Sequence, residues 1–163
     1  MLIYGWVSIT LGGYKMYDKV LNKEHITEKE LYSFLLSVNN EFPIPLNNKT
    51  DLKETVNKLY LLGDVFCLKN KENIIGLVAG YSNNKENKIG YLSVLVLFKE
   101  YRGKGLASVL VKTFLNNAKT NGMKKVFLYT HSTNIKAVSL YKRLGFYEAD
   151  LKNNGDYTLE IIL

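Results

Sequence analysis

The spacing of apolar residues switches repeatedly between helical and strand periods, and each switch marks an element. After Thr27, Leu31, Phe34, Leu35 and Val38 recur at three- and four-residue steps, which predicts an amphipathic helix. Thr27-Glu28-Lys29-Glu30 reads as a capping box at its start, and Asn39-Asn40 as its end. Leu52, Val56, Leu59 and Tyr60 predict a second helix, capped by Thr50 or Asp51 and stopped at Gly63. Between them, Phe42-Pro43-Ile44-Pro45-Leu46 carries both prolines of the chain. Proline lacks an N–H and restricts its predecessor, so an extended, stiff loop is expected there, either a pocket wall or a buried connector.

Beyond Gly63 the period shortens. Asp64 to Lys69 and Asn73 to Tyr81 read as strands joined at Asn70-Lys71-Glu72. Ser82 to Lys88 reads as a polar turn and Ile89 to Phe98 as a third strand, so an antiparallel meander is expected. Leu106, Val109, Leu110, Phe114 and Ala118 then trace a helix running to Asn121-Gly122, followed by a β-rich run from Lys125 to His131. A strand–helix–strand crossover implies that the two strands lie parallel. Asn134 caps a short helix carrying Ala137, Val138, Leu140, Tyr141 and Leu144, ended by Gly145. Phe146 to Leu151 and Tyr157 to Leu163 form a terminal hairpin around Asn153-Asn154-Gly155. Residues 1–13 suit a short strand or an extension, and Tyr14 to Leu21 is a second candidate for the first strand. Repeats and linkers are absent, so residues 1–163 read as one α+β domain with a mixed sheet.

A length of 163 residues and 47% hydrophobic content suit one globular core, and twelve tyrosines with seven phenylalanines suggest an aromatic-walled interior or pocket. The formal charge of +7 favours anionic ligands in general. The lysines are scattered, without a basic block, zinc finger or RNP pattern, so nucleic acid is not an expected partner. Cys67 lies in the apolar string Val65-Phe66-Cys67-Leu68, an inert core thiol suited to a reducing, cytoplasmic setting. Two histidines and one cysteine, far apart, give no metal constellation. Met1 to Gly13 is apolar but too short to span a bilayer and lacks a basic leader region, so no membrane association is expected.

The chemistry concentrates in Val94 to Ala107, V-L-V-L-F-K-E-Y-R-G-K-G-L-A. An apolar strand runs into a glycine turn that opens a helix. The first turn of a helix has N–H groups without internal partners and about half a positive charge from the dipole. Glycines let the backbone close around a phosphate, and Arg102 and Lys104 add charge, so Arg102 to Ser108 reads as a phosphate or pyrophosphate cradle. It is neither a Walker loop nor a dinucleotide fingerprint. An ordinary strand-to-helix turn, with glycines for geometry alone, is the competing reading.

Two motifs in fixed order carry a resemblance. Tyr101 to Ala107 is followed by N-I-K-A-V-S-L-Y-K-R-L-G-F, Asn134 to Phe146. Together they resemble the GNAT superfamily of acetyl-CoA-dependent N-acetyltransferases. The family's [Q/R]-x-x-G-x-[G/A] loop is matched by Arg102, Gly105 and Ala107. Its N-x-x-A-x-x-x-Y-x-x-x-G-F signature is matched by Asn134, Ala137, Tyr141, Gly145 and Phe146. The resemblance spans residues 64–151, and more loosely the two helices before them. It implies the acyl-CoA N-acyltransferase fold, an α/β/α-layered α+β arrangement with a mixed, mostly antiparallel sheet and a splayed parallel pair. It implies acetyl-CoA as co-substrate without a metal, its pyrophosphate on Arg102, Gly103, Lys104, Gly105, Leu106, Ala107 and Ser108. The pantetheine arm would lie along Leu95, Val96 and Leu97 like an added strand, near Asn134, Ala137 and Tyr141.

Tyr141 is then the candidate general acid for the leaving thiolate, and backbone N–H groups near Leu97 the donors to the carbonyl. A carboxylate base is missing from Gly90 to Phe98. His131 is one candidate base, and a water chain through Ser93 or Tyr91 another. The acceptor implied is the primary amine of a small molecule. A peptide acceptor and a non-catalytic CoA-binding module are the alternatives, and a homodimer is compatible with either. Phe42 to Leu46, Tyr81, Tyr129, His131 and the turn at residues 152–156 are the candidate acceptor walls.

Overall fold

A computed structural model describes residues 10–11, 14–15, 19–42 and 45–163. Strand β1 (Thr10–Leu11) pairs with β2 (Tyr14–Lys15) in a small ribbon of its own. The remainder of the reading for residues 1–13 lies outside the described residues, as do Pro43 and Ile44. Val20–Asn22 forms β3, the edge of the main sheet.

Helix α1 (Glu28–Ser37) starts at Thr27, where the capping box forms in full. A four-residue helix, α2 (Leu46–Lys49), follows Pro45 and corrects the extended-loop expectation at Leu46. Pro45 sits outside the helix with extended backbone, where its missing N–H leaves no intrahelical bond unmade. Buried Asn39 pins this turn, accepting the Asn47 N–H at 3.0 Å and donating to Asn47 Oδ1 at 2.9 Å. Helix α3 (Leu52–Leu62) is capped by Asp51, the second of the two expected caps.

Strands β4 (Asp64–Asn70), β5 (Asn73–Asn84) and β6 (Ile89–Leu97) make the antiparallel meander. β5 runs past Tyr81 into the expected turn. The Asp64 carboxylate accepts both the N–H and the hydroxyl of Ser82, at 3.0 and 2.6 Å, and holds this extension in place. Helix α4 (Leu106–Thr120) crosses to β7 (Lys125–His131), and α5 (Ile135–Arg143) precedes the hairpin of β8 (Tyr147–Leu151) and β9 (Asp156–Ile162). The seven-stranded sheet runs β3-β4-β5-β6-β7-β9-β8, with β6 and β7 its parallel neighbours.

Strand alternation divides the core into two layers. Val65, Cys67, Leu77 and Ala79 pack with Leu31, Leu35, Val56 and Leu59 of α1 and α3. Phe66, Leu68, Val126 and Leu128 pack with Leu110 and Phe114 of α4 and Tyr141 of α5. Cys67 is free, and burial pushes its thiol up to about 12, so it stays protonated and inert.

One irregularity shapes the centre of the sheet. Gly80 pairs with Leu92, but Ala79 pairs with Val94, so Ser93 is an extra residue on β6. Such a bulge bends its strand and ends pairing. The parallel ladder accordingly stops at Tyr91 and Phe127, although β6 continues to Leu97 and β7 to His131. The two strands splay beyond that point, as the resemblance implies.

Candidate functional site

A cavity of about 610 Å³ opens beside the unpaired end of β6. Leu95, Val96 and Leu97 of β6 form one wall, the turn from Arg102 into α4 a second, and α5 a third. The β6 wall has no strand partner beyond Tyr91 on the β7 side, so its backbone polar groups face the cavity.

The turn has the features of an anion cradle. Gly103 and Gly105 take φ of +74° and +80°, and a Cβ built at either would meet nothing within 4 Å. Left-handed backbone favours glycine, and the open space leaves room for a ligand against the main chain. Gly105 caps α4 without any side-chain bond. The N–H groups of Leu106, Ala107 and Ser108, which precede the first intrahelical bond at Val109, open toward the cavity these residues line. Arg102 is held by its Nε bond to the Leu97 carbonyl at 3.0 Å and by an ion pair with Glu41 at 2.9 Å. Lys104 lies apart from the lining, its ammonium 5.7 Å from the centre of the Tyr101 ring.

On α5, the Asn134 side chain caps the helix through the Ala137 N–H at 3.4 Å, and both residues line the cavity. Tyr141 continues that stripe one turn further but sits behind the lining, 6% exposed, with its ring edge-on to Phe146 at 5.4 Å. Among the described residues its hydroxyl has no hydrogen-bond partner, an orphaned polar group within the core layer packed on α4. Burial pushes the phenol far above its ordinary value, which keeps it a proton donor.

His131 lies outside the cavity lining. Its Nδ1 is 2.7 Å from the Thr133 hydroxyl and accepts the Thr133 N–H at 3.3 Å, and its Nε2 packs against Gly155. Tyr91 is half-buried, and burial raises its phenol above the ordinary value. Ser93 is the bulged residue at the mouth of the splay. The periodicity reading overlooks Glu41, the one carboxylate of the lining, and Lys136, Ser139 and Arg143 on α5. The polar stretch Asn39 to Glu41 gives no local signal that it reaches Arg102. The second signature motif does mark α5, and its exposed face follows from helical spacing. Among the described residues no group of three or more His, Cys, Asp or Glu is placed to hold a metal, and no helix is long and apolar enough to cross a membrane.

Residues 30–146 match the model of the acetyltransferase (GNAT) family. N-alpha-acetyltransferase 30 of Schizosaccharomyces pombe is 42% identical over 57 residues, 35% of this chain and 38% of that protein. Mycothiol acetyltransferase of Corynebacterium glutamicum is 33% identical over 91 residues, 56% of this chain and 30% of that protein. The matched stretch is therefore well under half the length of either relative. The PaiA N-acetyltransferase of Thermoplasma acidophilum, solved in complex with coenzyme A, superposes with a TM-score of 0.66 over 89% of this chain and 99% of its own, at 15% identity. With the family model covering most of the chain, and residues of both sequence motifs on the cavity walls, this chain belongs to the GNAT acetyltransferase family.

Proposed function

We propose that the chain is an N-acetyltransferase that moves the acetyl group of acetyl-CoA to the primary amine of a small molecule, both bound together. The observation that carries this reading is the start of α4. A long helix begins there without a side-chain cap, behind two left-handed glycines, and faces a cavity large enough for an extended ligand. That arrangement fits a diphosphate. The unpaired edge of β6 fits the amide-bearing arm that follows it, and the orphaned Tyr141 hydroxyl fits a sulfur at the end of the arm.

Acetyl-CoA, when bound, supplies an acetyl group activated as a thioester. The α4 N–H groups and Arg102 neutralise the diphosphate and fix its register. Backbone N–H groups near Leu97 polarise the carbonyl, and their fixed dipoles need no reorganisation as charge develops. Tyr141 holds a proton for the departing thiolate. His131 accepts the proton of the amine, with water past Ser93 and Tyr91 as the competing route.

The names of the relatives include a protein N-alpha-acetyltransferase as well as a small-molecule enzyme, so a peptide acceptor is the second reading. Thiol release from acetyl-CoA, measured against a panel of small amines and N-terminal peptides, separates them. Release with small amines supports the proposal, and release with peptides alone moves the acceptor to protein. CoA binding without release against any acceptor reduces the chain to a binding module.

A further inference from the structure

The sheet face opposite α4 and α5 carries rings at the point where the strands part. Tyr91 and Phe127, the last partners of the parallel ladder, stack at 4.9 Å with 22° between their planes. Tyr129 meets Phe127 edge-on at 5.5 Å and lies 6.0 Å from Tyr91. Val126 and Leu128 point into the core beneath α4, so these three rings lie on the other face. The second core layer, packed with α1 and α3, takes its strand residues from β3 to β6 and none from β7, and Tyr129 is 46% exposed.

That ring already holds a cation. Lys152, in the turn between β8 and β9, places Nζ 4.0 Å from the centre of the Tyr129 ring. Lys152 forms no ion pair among the described residues, so the ring face is its partner. Register places Asp150, Asp156 and Glu160 on the same face. Glu160 is engaged by Lys125 and Tyr147, and Asp156 by Asn154, while Asp150 has no partner among the described residues. An ammonium over an aromatic face, on a sheet face that carries these carboxylates along with Lys125 and His131, is a cation site in spite of the basic surface of the whole chain.

We propose that the Tyr129 ring face, backed by Tyr91 and Phe127, is a subsite for a positively charged group of the acceptor, and that Lys152 holds it in the free protein and yields it to that group. The location at the acyl end of the crevice rests on the acetyltransferase reading; the affinity for a cation does not. A ring face favours a protonated nitrogen, whereas a nitrogen that attacks a carbonyl must be neutral. The group bound here is therefore a second cationic centre, and the acceptor class is an amine carrying at least two.

Two measurements test this. Choline has no N–H to acylate, and 3,3-dimethylbutan-1-ol is its uncharged isostere. Titrated into the protein and followed by NMR, choline is expected to bind about tenfold more tightly. Tyr129→Leu is expected to erase the difference, Tyr129→Phe to retain it, and Lys152→Met to tighten choline binding severalfold. Equal binding of the two probes, or a preference that survives Tyr129→Leu, overturns the subsite. If Tyr129→Leu does not fold, Tyr129→Phe and Lys152→Met still decide it. In turnover, kcat/KM for 1,4-diaminobutane is expected to exceed that for n-butylamine by about tenfold, with the ratio falling in Tyr129→Leu and widening in Lys152→Met. A ratio near one overturns it as well. Absence of thiol release with both amines counts against the acetyltransferase reading instead, and the choline titration then decides the subsite alone.

Discussion

The first turns of α1 and α4 are finished in opposite ways. At α1 the Thr27 hydroxyl accepts the Glu30 N–H at 3.1 Å, and the Glu30 carboxylate accepts the Thr27 N–H at 2.7 Å. Glu30 also receives Lys69 at 2.9 Å, so the turn is tied to the sheet as well as to itself. At α4 the capping position is a glycine with nothing to offer, and Arg102 is anchored to Glu41 and the Leu97 carbonyl. The donors at α1 are met by side chains of the same turn, whereas those at α4 are left open beside the cavity. Both ends lie in one chain, so each can be perturbed while the other serves as the control.

The largest effect is expected at α4. Gly105→Val forces a β-branched residue into left-handed backbone and puts methyl groups where the ligand would approach. Affinity for CoA should fall by roughly 100-fold in calorimetry. Normal affinity would remove the diphosphate from this turn. Next is Tyr141→Phe, which deletes the buried hydroxyl and little else. We expect kcat for acetyl transfer to fall about 100-fold while CoA affinity holds, and unaltered turnover would take Tyr141 out of the chemistry.

At α1 the consequences should be confined to stability. Thr27→Ala breaks the capping box and should lower unfolding free energy by about 1 kcal/mol in urea titration, with CoA affinity unmoved. A matching loss of CoA binding would show that the two turns are not independent. The smallest effect is in acid. The hydrogen bond from Lys69, followed by that from the Thr27 N–H, lowers the Glu30 carboxyl from its ordinary 4.5 to about 2. The unfolded chain protonates this group first as pH falls. Its contribution is therefore complete above about pH 4.5 and is lost as pH falls toward about 2. Glu30→Gln should flatten the melting temperature over that window. An unchanged slope would assign the acid sensitivity to other groups.

Much of this architecture is readable in the residues themselves. Helical periods locate α1, α3, α4 and α5, because each buries one stripe and wets the other. The two motifs find the cradle and α5, since both depend on local residues at fixed spacing. The bulge is hidden for a physical reason: V-L-V-L is apolar in both phases, so the step in alternation at Ser93 leaves no polar residue on the wrong side. The partnership of Glu41 with Arg102 spans 61 positions, and Lys152 reaches back to Tyr129 of β7 from the turn between β8 and β9. Neither has a periodic trace. The helix at Leu46–Lys49 escapes because a proline bars helix only on its N-terminal side and leaves the next residue free to start one.

Ser93 also suggests how separable this slot is from the body of the domain. Leu92 faces α4 and Val94 faces α1, the alternation that adjacent residues would show in a straight strand. Deleting that single serine would leave Leu92 and Val94 each in its own layer. The cavity beside β6 thus opens at a single extra residue, and the packing on either side of it stays in phase.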